Sequence, residues 1–155
     1  YEICACLVGS EMCIRDSSGS GAIGIEALSR GAKQAYLVEF GKEPLRCIKA
    51  NLAKTHLEEQ AVVLPVEVTY AVSKLEKQGT TFDIIYADPP YRSGFEEKLA
   101  QLIGQSDIVK EDTLVIFESA LETPIDFIDE DVYEIEKVKE YKTNKHIFLR
   151  VKKER

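Results

Sequence analysis

Two short stretches of this chain combine residue types and spacings suited to chemistry on a bound ligand. Gly19 to Gly24 reads G-S-G-A-I-G. Gly19 and Gly21 permit a tight turn and close backbone approach, and the helix start that follows presents unpaired N–H groups. Glu39 ends the next apolar run, 20 residues beyond Gly19, where an acidic side chain can accept both hydroxyls of an adenosine ribose. NAD, FAD and S-adenosylmethionine all satisfy these features, so the loop and Glu39 specify an adenosine ligand and no more. The second stretch is Asp88-Pro89-Pro90-Tyr91. Successive prolines remove two N–H donors and fix the backbone, leaving rigid carbonyls as acceptors. A carboxylate beside such a carbonyl suits an –NH2 group on a planar ring, and Tyr91 offers a face for stacking. Hydrogen bonds to both N–H protons favour a pyramidal nitrogen with its lone pair aimed at an electrophile. This second motif therefore favours methyl transfer over hydride chemistry.

The elements that must position these residues alternate cleanly after residue 18. A helix follows the glycine loop, with Ile23, Ala27 and Leu28 on one face and Arg30-Gly31 as its stop. Ala35 to Phe40 reads as a buried strand, and Pro44, Leu45, Ile48 and Leu52 as a helix running to about Leu57. Val62 to Val66 is a third strand, placed at an edge by Pro65. Ala71, Val72 and Leu75 mark a helix, Phe82 to Ala87 a strand ending at Asp88, Phe95 to Ile103 a helix and Leu114 to Phe117 a strand. Tyr133 to Tyr141 and His146 to Val151 alternate as an antiparallel hairpin around Thr143-Asn144. Strands alternating with helices imply an α/β, Rossmann-like, doubly wound and mostly parallel sheet, closed by a C-terminal antiparallel hairpin. Asp88 then stands at the carboxyl end of a strand, where ligand crevices lie in open α/β sheets.

Composition narrows the function classes. At 155 residues, 45% hydrophobic and 30% charged, the chain suits one globular domain spanning 1–155. No apolar run approaches the roughly 20 residues of a membrane helix. A net charge of −7 argues against a non-specific nucleic-acid coat, though not against an enzyme meeting RNA through a local patch. Cys4, Cys6 and Cys13 crowd the first 13 residues and Cys47 sits in a helical pattern, while His56 and His146 are remote from the cluster. No zinc site is expected from that spacing, no signal peptide is visible, and reduced cytoplasmic thiols are the expectation. Neither histidine has a nucleophile motif around it. The lysines at 137, 139, 142 and 145 are candidate RNA contacts, with a solvated edge-strand face as the simpler reading.

G-S-G-A-I-G-I-E-A-L-S-R-G, then V-E-F, then D-P-P-Y, together with Phe117-Glu118-Ser119 and the terminal hairpin, resembles the RsmD family of 16S ribosomal RNA guanine-N2 methyltransferases from residue 19 to about 151. The resemblance implies the class I methyltransferase fold, S-adenosylmethionine as donor and a flipped guanine as acceptor. It implies that Gly19, Ser20 and Gly21 contact the methionine end of the donor. Glu39, with Phe40 beside it, would meet the ribose, and Glu67 and Val68 would stand beside the adenine, where the family has Asp-Ala. Asp88, next to the donor, and Pro89 would hold the amine within the rigid Asp88-Pro89-Pro90-Tyr91 turn, and Tyr91 would stack on the base. No metal is required. The implied partner is the 16S rRNA of the small ribosomal subunit, and the expected state a cytoplasmic monomer.

The segment ahead of the loop departs from the family. Arg15-Asp16-Ser17-Ser18 stands where the family has D-L-F-A, with Arg15 on its Asp position. Cys6 to Asp16 resembles translated adapter sequence, so about residues 1–17 read as foreign, with Ile3 to Val8 still able to fill a strand slot. The family's basic N-terminal hairpin is not seen. The alternative functions are an amino-group methyltransferase with another target such as adenine N6, a nicotinamide-binding module, or an inactive fragment. The 69 residues between Gly19 and Asp88 contain no insertion for a DNA target-recognition domain, and a nicotinamide module leaves Asp88-Pro89-Pro90-Tyr91 unexplained.

Overall fold

The computed structural model describes residues 11–14, 22–88 and 95–152. Seven strands form one sheet in the order β3-β2-β1-β4-β5-β7-β6. They are β1 (Glu11–Ile14), β2 (Ala35–Val38), β3 (Ala61–Leu64), β4 (Ile84–Ala87), β5 (Leu114–Ala120), β6 (Tyr133–Glu140) and β7 (Asn144–Val151). The first five in that spatial order pair in parallel. β7 runs antiparallel to β5, and β6 antiparallel to β7. The expected doubly wound sheet with a closing hairpin is what forms, and β3 is an edge strand that stops at Leu64, before Pro65. Proline there costs no ladder bond.

The middle slot belongs to Glu11–Ile14, which pairs with both β2 and β4. Ile3 to Val8, the stretch whose hydrophobicity suited that slot, lies outside the described residues. Four residues suffice because a central strand is held by backbone ladders on both sides.

Helices α1 (Ala22–Ser29), α2 (Lys42–Thr55), α3 (Val68–Lys77) and α4 (Phe95–Gln105) connect the parallel strands. One face of the sheet buries Leu37, Ile84, Tyr86, Leu114, Ile116 and Phe148 with Ala27, Leu28, Ile48 and Leu52 of α1 and α2. The other face buries Ile85, Val115, Phe117, Ile147 and Leu149 with Val72, Leu75, Leu99 and Ile103 of α3 and α4. Each Leu, Ile, Val or Phe among them, fully withdrawn from water, contributes about 1.5–3 kcal/mol. Gly24 lets α1 ride directly on β2, since a Cβ there would lie 2.4 Å from Cδ2 of buried Leu37, which would have to move. Gly31 ends the turn after α1 at φ +107°, a left-handed conformation that favours glycine.

Among the described residues, no helix is long and apolar enough to cross a membrane, and no group of three or more His, Cys, Asp or Glu could hold a metal ion.

Candidate active site

Strand register sets the geometry of the site. Ile14 is level with Val38 on one side and with Ala87 on the other. Glu39 and Asp88 are each one residue further on, so both stand at the carboxyl edge of the parallel sheet, flanking the end of β1. Strands lie about 4.8 Å apart, which puts these two backbone positions roughly 10 Å from each other. The row continues: Ala87 is level with Phe117, so Asp88 adjoins Glu118, and Glu118 is directly paired with His146 of β7.

Asp88 is only 5% exposed, unusual for a carboxylate and sustained by a partner. It adjoins Glu118 on the neighbouring strand and favours the ionised form of that carboxyl. Glu118 Oε1 accepts from Tyr86 Oη at 3.0 Å and from Asn144 Nδ2 at 3.1 Å, and lies 3.2 Å from His146 Nε2. The bond from His146 is the largest influence holding the Glu118 carboxyl below its ordinary range, against the opposing effect of burial, with smaller contributions from Asp88 and Tyr86. The His146 ring packs edge-on against Tyr86 and Tyr141, with centroids at 5.8 Å and 4.8 Å. Three strands thus converge on one carboxylate.

Glu39 is half-buried, and its Oε2 accepts from the Phe40 N–H at 3.2 Å. Phe40 itself is 66% exposed, a large apolar side chain in water beside the row. Glu67 caps α3 with extended backbone and no side-chain capping bond, and Val68 opens that helix, packed against the core. Glu39, Phe40, Glu67, Val68 and Asp88 are therefore brought to one edge of the sheet. Gly19, Ser20, Gly21, Pro89, Pro90 and Tyr91 lie outside the described residues.

Sequence reasoning missed His146 and Tyr86. They are 28 and 32 residues from Glu118 along the chain, and only the β4-β5-β7 register makes them neighbours. Of the hairpin lysines, Lys145 is buried, with its Nζ donating to Leu121 O and Thr123 O, so it is a structural cation. Lys137 and Lys139 are exposed and lie over the Phe148 and Tyr141 rings.

The family model described as conserved hypothetical protein 95 matches residues 1–152. The chain belongs to that family, the RsmD family. Ribosomal RNA small subunit methyltransferase D of Escherichia coli (strain K12) is 34% identical over 110 residues, which cover 71% of this chain and 54% of that protein. The chain thus spans about half the length of that curated relative. A conserved hypothetical protein of Streptococcus pyogenes superposes with a TM-score of 0.81 at 26% identity, over 95% of this chain and 88% of that one. A SAM-dependent methyltransferase from Agrobacterium tumefaciens shares the fold, with a TM-score of 0.69 at 12% identity over 94% of this chain and 56% of that one. The RsmD-family match runs through the segment that departs from the family's usual lead-in, the one that supplies β1.

Proposed function

We propose that this chain transfers the methyl group of S-adenosylmethionine to the exocyclic N2 amine of a guanine in the 16S rRNA of the small ribosomal subunit, in the cytoplasm. The observation that carries this reading is the register that sets Glu39 and Asp88 level on either side of β1. An acceptor for ribose hydroxyls and a buried acceptor for an amine then stand on one edge of the sheet, on either side of β1. The name of the Escherichia coli relative supports the same reading.

The residues present fit the donor. Glu39 accepts the ribose hydroxyls, and exposed Phe40 supplies an apolar surface beside it that otherwise lies open to water. Glu67, whose side chain makes no capping bond, and the edge of Val68 flank the adenine. When bound, S-adenosylmethionine supplies a methyl group on a positively charged sulfur. Asp88 orients the guanine amine toward that carbon by accepting an N–H, and takes up the proton that the nitrogen loses on forming its new bond. Pro89, Pro90 and Tyr91 complete the acceptor and the stacking face. Lys137 and Lys139, on the same sheet face as His146, give the acidic chain a local cationic margin for phosphate.

The test is methylation of small ribosomal subunits with labelled donor, followed by mass-spectrometric analysis of nucleosides. N2-methylguanosine formed by the wild type and lost in Asp88→Ala is the expected result. Methylation at adenine N6, or donor binding with no transfer to any RNA, refutes the assignment.

A further inference from the structure

We propose that Glu118, held by His146, Tyr86 and Asn144, is a second proton acceptor behind Asp88, so that the proton released on methylation passes through the Asp88–Glu118 carboxyl pair toward solvent at His146. This inference rests on the reading of Asp88 as the residue that meets the amine. Two carboxyl groups can hydrogen-bond only by sharing a proton. Glu118 already accepts from Tyr86 and Asn144 and stands level with Asp88 across β4 and β5, so a proton shared between the two carboxyls has its accepting side at Glu118. A lone Asp88 already engaged in that way would be a poor sink for another proton. With Glu118 beside it, one oxygen of Asp88 takes the amine proton as its shared proton moves to Glu118. Atoms balance. The nitrogen–carbon bond forms, the carbon–sulfur bond breaks with its electron pair left on sulfur, and the proton lost by the amine leaves the pair with one proton more, which passes to solvent beside His146.

The exit is built in as well. The side chains of His146 and Glu118 are 20% and 15% exposed, whereas Asp88 is enclosed. The groups facing Glu118 are Asp88 and Tyr86 from the β4 side and Asn144 and His146 from β7. Lys139 of β6 is level with His146, with its Nζ over the Tyr141 ring. A neutral glutamine in place of Glu118 keeps the shape and the bonds from Tyr86 and Asn144 but cannot accept a proton.

The experiment compares wild type, Glu118→Gln and His146→Gln in single-turnover methylation of small subunits across pH, with carboxyl-carbon NMR titration of each protein. General acid–base groups contribute about 10²–10⁴-fold; as one half of a pair, Glu118 is expected to contribute about 10- to 100-fold. Glu118→Gln should lower the transfer rate by that factor with the donor dissociation constant within about 2-fold of wild type. His146→Gln should move the acid limb of the rate profile, and the Glu118 titration, to higher pH, because the group that most lowers that carboxyl is gone. A structural role alone would leave the limb in place. Wild-type rates in Glu118→Gln, or an unmoved limb and titration in His146→Gln, would overturn the proposal while leaving methyl transfer intact. Absence of transfer by the wild type would remove the reading on which it rests.

Discussion

Replacing Tyr86 by Phe removes one oxygen atom from the point where the parallel sheet is fastened to the hairpin. Tyr86 is buried, and its hydroxyl donates to Glu118 Oε1 at 3.0 Å. A hydrogen bond to a charged group is worth about 1.5–3 kcal/mol. Glu118 keeps the bond from Asn144 and its contact with His146, so the lower part of that range, about 1.5–2 kcal/mol, is expected at neutral pH. The chain has no tryptophan, so urea unfolding is best followed by far-ultraviolet circular dichroism. With a slope of about 2 kcal/mol/M, the midpoint falls by about 0.7–1 M. The pH dependence is the sharper test. The folded-state pKa of Glu118 is depressed, so its stabilisation is fully present above the ordinary carboxylate range and is lost as pH falls through the depressed value. Below that value the tyrosine faces a neutral acceptor, and its bond weakens to about 0.5–1.5 kcal/mol. The wild-type advantage should therefore shrink on acidification. An equal difference at pH 7 and well below the carboxylate range, or no difference at pH 7, would refute the account of Glu118 as an ionised hub.

Three further outcomes are expected. Glu39→Gln should weaken S-adenosylhomocysteine binding about 10- to 100-fold in calorimetric titration, the loss of a charged acceptor for two hydroxyls; unchanged affinity would remove Glu39 from the donor site. Gly24→Val should cost about 2–3 kcal/mol by forcing α1 off β2, lowering the melting temperature by roughly 5–10 °C, because its Cβ would sit 2.4 Å from buried Leu37. A melting temperature equal to wild type would show that α1 shifts at no cost. Lys145→Met should destabilise by about 1–2 kcal/mol through two lost carbonyl partners and leave the salt dependence of RNA binding unchanged, whereas Lys139→Gln should reduce that salt slope.

What was legible in the sequence follows from what is local. Ala35 to Val38 and Ile84 to Ala87 are apolar runs bounded by polar breaks, so their strands, and the placement of Glu39 and Asp88 just past their ends, could be read directly. Pro65 placed β3 at an edge because a missing N–H has one structural consequence. The middle strand was not legible: E-M-C-I is short and only weakly patterned, and the ladders on its two sides, not its own residues, select it. Nor was the environment of Lys145, which alternation puts on the inward face of β7, where carbonyls of the segment after β5 receive it. Glu118 could be noted as a motif residue, but its partners are fixed by antiparallel register, which no local pattern states.

That register explains why the sheet ends in a hairpin. A parallel strand beside β5 would bring only its carboxyl end to the ligand edge. An antiparallel β7 brings its first residues there instead, and Asn144 to His146 pair with Ala120 to Glu118. The same turn carries Tyr141 onto the His146 ring, and β6 places Lys139 level with it. At the opposite end of β7, Arg150 bonds Glu136 and the Asp112 carbonyl, which fixes the register from outside the site. A slip of one residue would exchange the faces of Lys145 and His146, stranding a cation beside Glu118 and an imidazole under the loop after β5. The hairpin therefore closes a sheet edge and also supplies the Asn144 and His146 partners of the carboxylate that stands next to Asp88.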